Sequence, residues 1–173
     1  MTSLHLPSRL LSYRPEPFPL HTMETETAQQ SPYVKQFSVF LINRAGALLS
    51  VVRLLEDASV LVLGLSLQDS VDVTVARLVV SDPDTVETLF IEKGIPFSVS
   101  DILVVQLREG AKGLSMALTA FLQAETNIHF AYPLLVNTSG LPALALHLED
   151  IEFGAEVVKN QGFRILKQND ISR

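Results

Sequence analysis

Apolar positions recur in two rhythms along residues 35–170. Phe37-Ser-Val-Phe-Leu-Ile42 is a near-continuous apolar run of strand length, and Leu48, Val52 and Leu55 then recur at helical spacing. The same alternation continues down the chain. It predicts strand 35–42, helix 46–57, strand 60–69, strand 72–80, helix 83–93 and strand 95–100. A second series follows: strand 102–108, helix 113–124, strand 127–137, strand 142–149, helix 151–161 and strand 163–168. The two series are one unit written twice, at a period of about 67 residues. That shift carries Gly46 onto Gly113 and Leu55 onto Leu122, and one residue more carries Asp82 onto Asp150 and Gly94 onto Gly162.

Punctuation supports these elements. Asp82 before Pro83 predicts an N-cap followed by proline at the first helical position. Gly94 and Gly162 stand just past helices, where a left-handed residue ends the last turn. Gln68-Asp69-Ser70 and Asn137-Thr-Ser-Gly140 are expected hairpin connections. Each copy is thus βαββαβ. Right-handed crossovers make that an antiparallel sheet with both helices on one face, an α+β fold of ferredoxin-like type. The first strand is apolar on both sides, as is Ile102-Leu-Val-Val-Gln-Leu107, so both sheet faces should be covered. The two copies are expected to pack together, and the pair on a further copy. Ser98-Val-Ser-Asp101 runs straight into the next strand without a linker. The expected divisions are a tail, 1–34, and units 35–100 and 101–173.

The tail holds five of the nine prolines and the polar run Glu24-Thr-Glu-Thr-Ala-Gln-Gln-Ser31. Dense proline breaks both regular structures, so a mobile or weakly docked segment is expected. Initiation at Met23 would account for its character. Composition excludes several classes. The chain has 173 residues, 47% hydrophobic, 18% charged, with net charge −6 and no cysteine. Without cysteine there is no disulfide, thiolate chemistry or cysteine metal site. An acidic chain without a basic cluster is a poor nucleic-acid binder. No apolar run reaches the ~18 residues of a membrane span. A cytoplasmic location is expected.

Candidate chemistry centres on Asn43-Arg44-Ala45-Gly46-Ala47-Leu48, a turn from strand to helix. Gly46 permits backbone angles that a Cβ penalises. A helix starting there points unpaired N–H groups and the positive end of its dipole at whatever sits above, which suits a carboxylate. Most such turns only turn, and both readings stand. Arg77 lies in an otherwise apolar strand and wants a partner: a ligand carboxylate, an acid such as Glu56, or an interface residue. Tyr132-Pro133 suggests a bulge or edge, with Tyr132 lining a site or an interface. Lys112, in the second turn, reads either as a charge that favours an anion or, more commonly, as a solvated surface charge. His129 and His147 fall on neighbouring strands, but two histidines make a poor metal site, and no metal or cofactor is expected. No phosphate loop, dinucleotide fingerprint or nucleophile triad occurs.

The hexamer, placed at the first bend of a doubled βαββαβ unit, resembles the "Asn-Arg-Pro-Gly-Ala-Leu" signature of ACT domains, the small-molecule sensing modules of amino-acid metabolism. Residues 35–170 resemble a stand-alone tandem-ACT protein. Leu78-Val-Val-Ser-Asp-Pro83 and Ser98-Val-Ser-Asp101 carry the same likeness. The resemblance implies a ligand site between two ACT units, similar to that of the serine-sensing domain of phosphoglycerate dehydrogenase. There, an asparagine of the turn and an asparagine opening the partner's second strand hold the amino acid. The first matches Asn43; the second falls on Val60 in copy one and on Asn127 in copy two. Copy two has Gly110 in place of the turn asparagine, so one complete site per chain is implied, not two. Ala45 departs from the family's proline. Asn127 also reads as a plain turn residue.

The function this implies is a non-catalytic sensor of a small free amino acid, working as a dimer. The rival is a regulatory subunit of an amino-acid biosynthetic enzyme, resembling the small subunit of acetolactate synthase. An RNA-binding sheet is disfavoured by acidity and by the lack of an aromatic stacking strand. A ferredoxin-like barrel enzyme would need a polar cluster inside the sheet, where the sequence offers Arg77 and two histidines.

Overall fold

Strand β1 (Val34–Ile42) sends its two faces to different cores. Phe37, Val39 and Leu41 pack with Val51 and Leu55 of α1 (Ala47–Asp57) and with Val86 and Phe90 of α2 (Pro83–Lys93). Val34 and Gln36 point the other way and are also fully buried. Both faces are covered over the first half of this strand, but at its far end Phe40 and Ile42 on the helix-free face are exposed, so the cover expected there is incomplete.

The structure, a computed structural model, describes residues 31–42, 44–69, 73–136 and 139–172. Ser31–Arg173 form one compact unit. The tail expected over 1–34 lies outside the described residues as far as residue 30, as do Asn43 and the tips of both hairpins, 70–72 and 137–138. Val34, assigned to that tail, is a fully buried core residue.

The remaining elements follow the doubled unit. Strands β2 (Val62–Asp69) and β3 (Val73–Val80) precede α2. Then come β4 (Phe97–Gln106), α3 (Ala111–Gln123), β5 (Ile128–Pro133), β6 (Ala143–Leu148), α4 (Ile151–Asn160), β7 (Arg164–Leu166) and α5 (Gln168–Ile171). The sheet order is β2-β3-β1-β4-β6-β5, with β7 also on β4, and every pairing is antiparallel. This is an α+β fold of two ferredoxin-like units.

Three expected strand ends differ. The strands expected at 95–100 and 102–108 are one strand, β4. Its first half pairs with β1 (Val39 opposite Phe97, Val34 opposite Ile102), and its second half pairs with β6 (Leu103 opposite Leu146). No glycine or proline stands between Phe97 and Gln106, so nothing breaks the alternation. Strand 127–137 stops at Pro133, which has no N–H for a ladder, and its bulge falls earlier, between Ile128 and Phe130. Strand 163–168 stops at Leu166, and the polar residues after it form α5.

Helices α1 to α4 lie on one sheet face, while the short α5 adds Ile171 to the core of the opposite side. Phe121 of α3 and Ala155 and Val158 of α4 pack on Leu103, Val105, Leu144 and Leu146. The helix-free faces of both units meet each other instead. Val34, Leu63 and Val79 of the first copy share a core with Ile102, Val104, Tyr132, Leu134, Ala143, Ala145 and Leu166. The sheet curls until its two edge strands touch. Gly64 bridges Leu134, and Leu135 N donates to Leu63 O at 2.7 Å. A Cβ on Gly64 would sit 2.6 Å from Leu134 Cδ2 and 3.3 Å from Tyr132 Cε2, so the approach needs glycine.

Polar ties cross this seam. The Tyr132 hydroxyl donates to Gln36 Oε1 at 2.8 Å, and both residues are buried. Gln168 of α5 reaches the first unit: its Nε2 donates to Val80 O at 2.8 Å, and its Oε1 accepts from Lys35 N at 3.3 Å.

The caps repeat as the sequence predicts. Asp82 accepts from Thr85 N at 3.1 Å, Asp150 accepts from Phe153 N at 2.9 Å, and Gly94 and Gly162 have φ of 64° and 76°. Asp82→Ala should lower stability by about 1 kcal/mol, measured by urea denaturation. The Asp82 carboxyl lies below its usual range through its bonds to Thr85, so this contribution is full at neutral pH and fades as pH falls through the carboxylate range.

Tyr132→Phe leaves Gln36 Oε1 without this donor and should cost about 1–3 kcal/mol. Burial holds the Tyr132 phenol above its ordinary value, a rise that the Arg77 charge opposes. Above about pH 10 the unfolded chain releases this proton while the folded chain keeps it. Wild-type stability should therefore be full below that pH and fall above it, and the fall should be smaller in Tyr132→Phe.

Candidate functional site

Gly46 takes φ of 85° at the N-cap of α1, so the left-handed residue expected at the bend is there. Arg44, Ala45 and Gly46 are exposed, whereas Ala47 and Leu48 are half-buried against the first unit's core. Among the described residues no side chain caps this helix, and its first turn carries no acid. The positive end of the helix therefore faces outward uncompensated. Ala47 N makes a long bond to Arg44 O at 3.3 Å, and Ser50 Oγ donates back to Gly46 O at 3.0 Å. Asn43, the turn's side-chain anchor, lies outside the described residues.

Asn127 opens β5 and is exposed; its Nδ2 donates to Glu149 Oε2 at 2.8 Å. Its Oδ1 is left as an acceptor, next to a carboxylate that suits an ammonium group. The counterpart in the first copy, Val60, is a core residue 2% exposed. The turn of the second copy also differs: Gly110 has φ 57° and ψ −126°, and Lys112 is spent on an exposed ion pair with Glu109 at 2.9 Å.

The register does not bring the α1 turn and Asn127 together: Asn127 lies in the row of Glu149, Ser100 and Gln36, six residues or ~20 Å along β1 from Ile42, where the turn begins. Val39 pairs with Phe97, so β1 runs past the start of β4. Leu146 pairs with Leu103, so β6, and Asn127 beside its end, run back toward that start. The turn and Asn127 are also three steps apart along the sheet path. At ~4.8 Å per step, that is about 14 Å of sheet.

Arg77 and Tyr132 are brought together elsewhere, on the helix-free face. The Arg77 guanidinium carbon lies 4.0 Å from the Phe130 ring centroid, and its Nη2 donates to Gln68 Oε1 at 2.7 Å. Its contacts are thus an aromatic ring across the seam and a neutral amide, not Glu56. Phe130 stacks on His147 at 4.7 Å between centroids, and His129 meets His147 edge-on at 5.3 Å. Burial holds the His147 imidazole below its ordinary value, and the charges of His129 and Arg77 add to this. Arg77 Nε and His147 Nδ1 are buried and have no hydrogen-bond partner among the described residues. Gln36 Nε2 extends the polar row, donating to Ser38 Oγ at 3.3 Å and Ser100 Oγ at 3.4 Å. Tyr132 belongs to the seam, since its hydroxyl is used by Gln36.

Sequence reasoning overlooked Gln36, Gln68 and Phe130. A glutamine in an apolar first strand was a visible signal for Gln36. Nothing local marks Phe130, whose alternation with Tyr132 looks like ordinary core. Among the described residues, no three His, Asp or Glu side chains gather as a metal site, and no helix is long and apolar enough to cross a membrane.

Residues 33–173 match the family described as an ACT domain pair. No curated protein matches the chain. Among solved structures, protein BT0572 from Bacteroides thetaiotaomicron superposes with a TM-score of 0.74 at 20% identity, covering 82% of this chain and 97% of that one. The regulatory subunit of aspartate kinase from Thermus thermophilus gives a TM-score of 0.51 at 12% identity, covering 74% and 91%. At these identities both are likenesses of fold. The doubled unit and the family match agree over the same residues, and the chain belongs to the ACT domain pair family.

Proposed function

We propose that this chain is a non-catalytic regulatory sensor that binds a small free amino acid at the interface of its two ACT units. The family match over both units carries this reading. The α1 turn supports it. It is exposed and lacks both a side-chain cap and a first-turn acid, so it offers donors to a carboxylate. Asn127 and Glu149 offer acceptors to an ammonium group. Asn43 completes the donor side. Ligand would favour one packing of the units over another and so report amino-acid supply. The sensor works in the cytoplasm as a dimer.

A second reading is a regulatory subunit that contacts an amino-acid biosynthetic enzyme. The outer face of α3 favours a protein contact, since Leu118 and Leu122 are 41% and 78% exposed one turn apart. Pull-down from lysate with and without Leu122→Glu separates the two readings.

A thermal-shift screen of the twenty amino acids tests the sensor. One or two should raise the melting temperature, since ligand at about 100 times Kd adds about 2.7 kcal/mol. Asn43→Ala and Asn127→Ala should each remove that shift. Val60→Ala should lower the starting temperature, by opening a cavity, yet keep the shift. A flat response to all twenty sinks the reading.

A further inference from the structure

Beyond the seam, the helix-free face of the first unit continues into the open. Val79 lies in the seam core, and Arg77, Val75 and Val73 follow it on the same face of β3. Ser38, Phe40 and Ile42 of β1 stand directly beside them, opposite Arg77, Val75 and Val73 in turn. This stretch is apolar and accessible: Phe40 is 41% exposed, Val73 38% and Ile42 74%. A guanidinium therefore stands at the inner edge of an open apolar patch.

That guanidinium is unmatched. Among the described residues, no carboxylate forms an ion pair with Arg77. Its Nη2 donates to the neutral Gln68, and among the described residues its buried Nε has no partner. Across Phe130, His147 Nδ1 is likewise unsatisfied. A cation half withdrawn from water without a counter-charge is costly, and removing it to a ring face compensates only in part. The chain has 19 acidic residues, so the missing acid is a matter of placement, not supply. Beside the Gln68 amide, the groups around the cation are neutral hydroxyls and rings: Ser38 and Ser98 lie opposite each other on this face, with Phe130, His129 and His147 beyond.

We propose that this open end of the curled sheet binds a small organic carboxylate with an apolar body. The carboxylate pairs with Arg77, and the body lies on Phe40 and Val75. Phe130 backs the guanidinium, with Cζ 4.0 Å from the ring centroid, and because Nε is buried it is the terminal Nη edge that meets the carboxylate. A single cation selects a monoanion, and the apolar floor selects against phosphate. The site is distinct from the α1 turn, because α1 packs on the opposite face of this sheet. Because Arg77 comes from one unit and Phe130 from the other, occupancy bears on how the units pack.

Isothermal titration of the full chain at pH 7.5 with phenylacetate and 3-methylbutanoate tests this, with the matching amides as neutral controls. The carboxylates should bind, and the amides should bind at least about tenfold more weakly. Arg77→Gln should weaken carboxylate binding by a similar factor, and Arg77→Lys by less. Phe40→Ser, at an exposed position, should weaken binding too, and it keeps the test decisive if Arg77 variants fold poorly. Any amino-acid thermal shift should persist in Arg77→Gln, so failure here is separate from failure of the sensor reading. No heat from either carboxylate, or equal affinity in Arg77→Gln, overturns the proposal. So does self-association that Phe40→Ser abolishes, since the patch would then be a contact between copies.

Discussion

A sheet with helices on one side leaves its other side to water, and over the first half of β1 this sequence does not permit that. In β1, Phe37 and Val39 fill the helix side while Val34 and Gln36 are fully buried on the other. Each aliphatic side chain buried is worth roughly 1.5–3 kcal/mol, so the seam core outweighs any single polar tie across it. The second copy supplies the cover. Strand β4 belongs to both sheets, pairing β1 with its first half and β6 with its second. The two units are thus joined at a fixed register, and the curl brings the edge at Gly64 onto Leu134. The Tyr132–Gln36 bond contributes about 1 kcal/mol and mainly selects one alignment of the two faces.

What the sequence made legible is what local chemistry decides. Asp82, Asp150, Gly94 and Gly162 mark helix ends because a carboxylate or a left-handed residue works there whatever lies beyond. Strand ends were harder, because pairing partners set them. The division expected between 100 and 102 vanishes because β4 finds a neighbour along its whole length. The helix α5 was missed because its role is tertiary: Gln168 bonds to Val80 and Lys35, far away in the chain. Arg77 was legible as an anomaly, but its partner was not. Phe130 lies in the other copy, and only the curl of the sheet brings its ring within 4.0 Å of the guanidinium.

The two copies share their frame and differ where chemistry is exposed. The Gly46 turn has φ 85°, whereas Gly110 has φ 57° with ψ −126°, so the two helices do not begin alike. Val60 is sealed in a core while Asn127 sits outside, bonded to Glu149. Burial at one position and exposure at its equivalent make the copies unequal as ligand surfaces, whatever the ligand.

The seam itself requires inequality. At a shift of about 68 residues, Arg77 of β3 corresponds to Ala145 of β6, and Val79 corresponds to His147. Both pairs point to the helix-free side. If the copies were identical, a guanidinium at 77 and another at 145 would enter one low-dielectric space, and like charges there repel strongly. With alanine at 145, fully buried, one copy leaves room where the other places a long cation. With histidine at 147, the second copy adds a ring that backs Phe130, and burial and the nearby charges of His129 and Arg77 favour its neutral form. The cross-seam stack of Arg77, Phe130 and His147 thus depends on the two halves having diverged, and a perfectly repeated chain could not close its sheet this way.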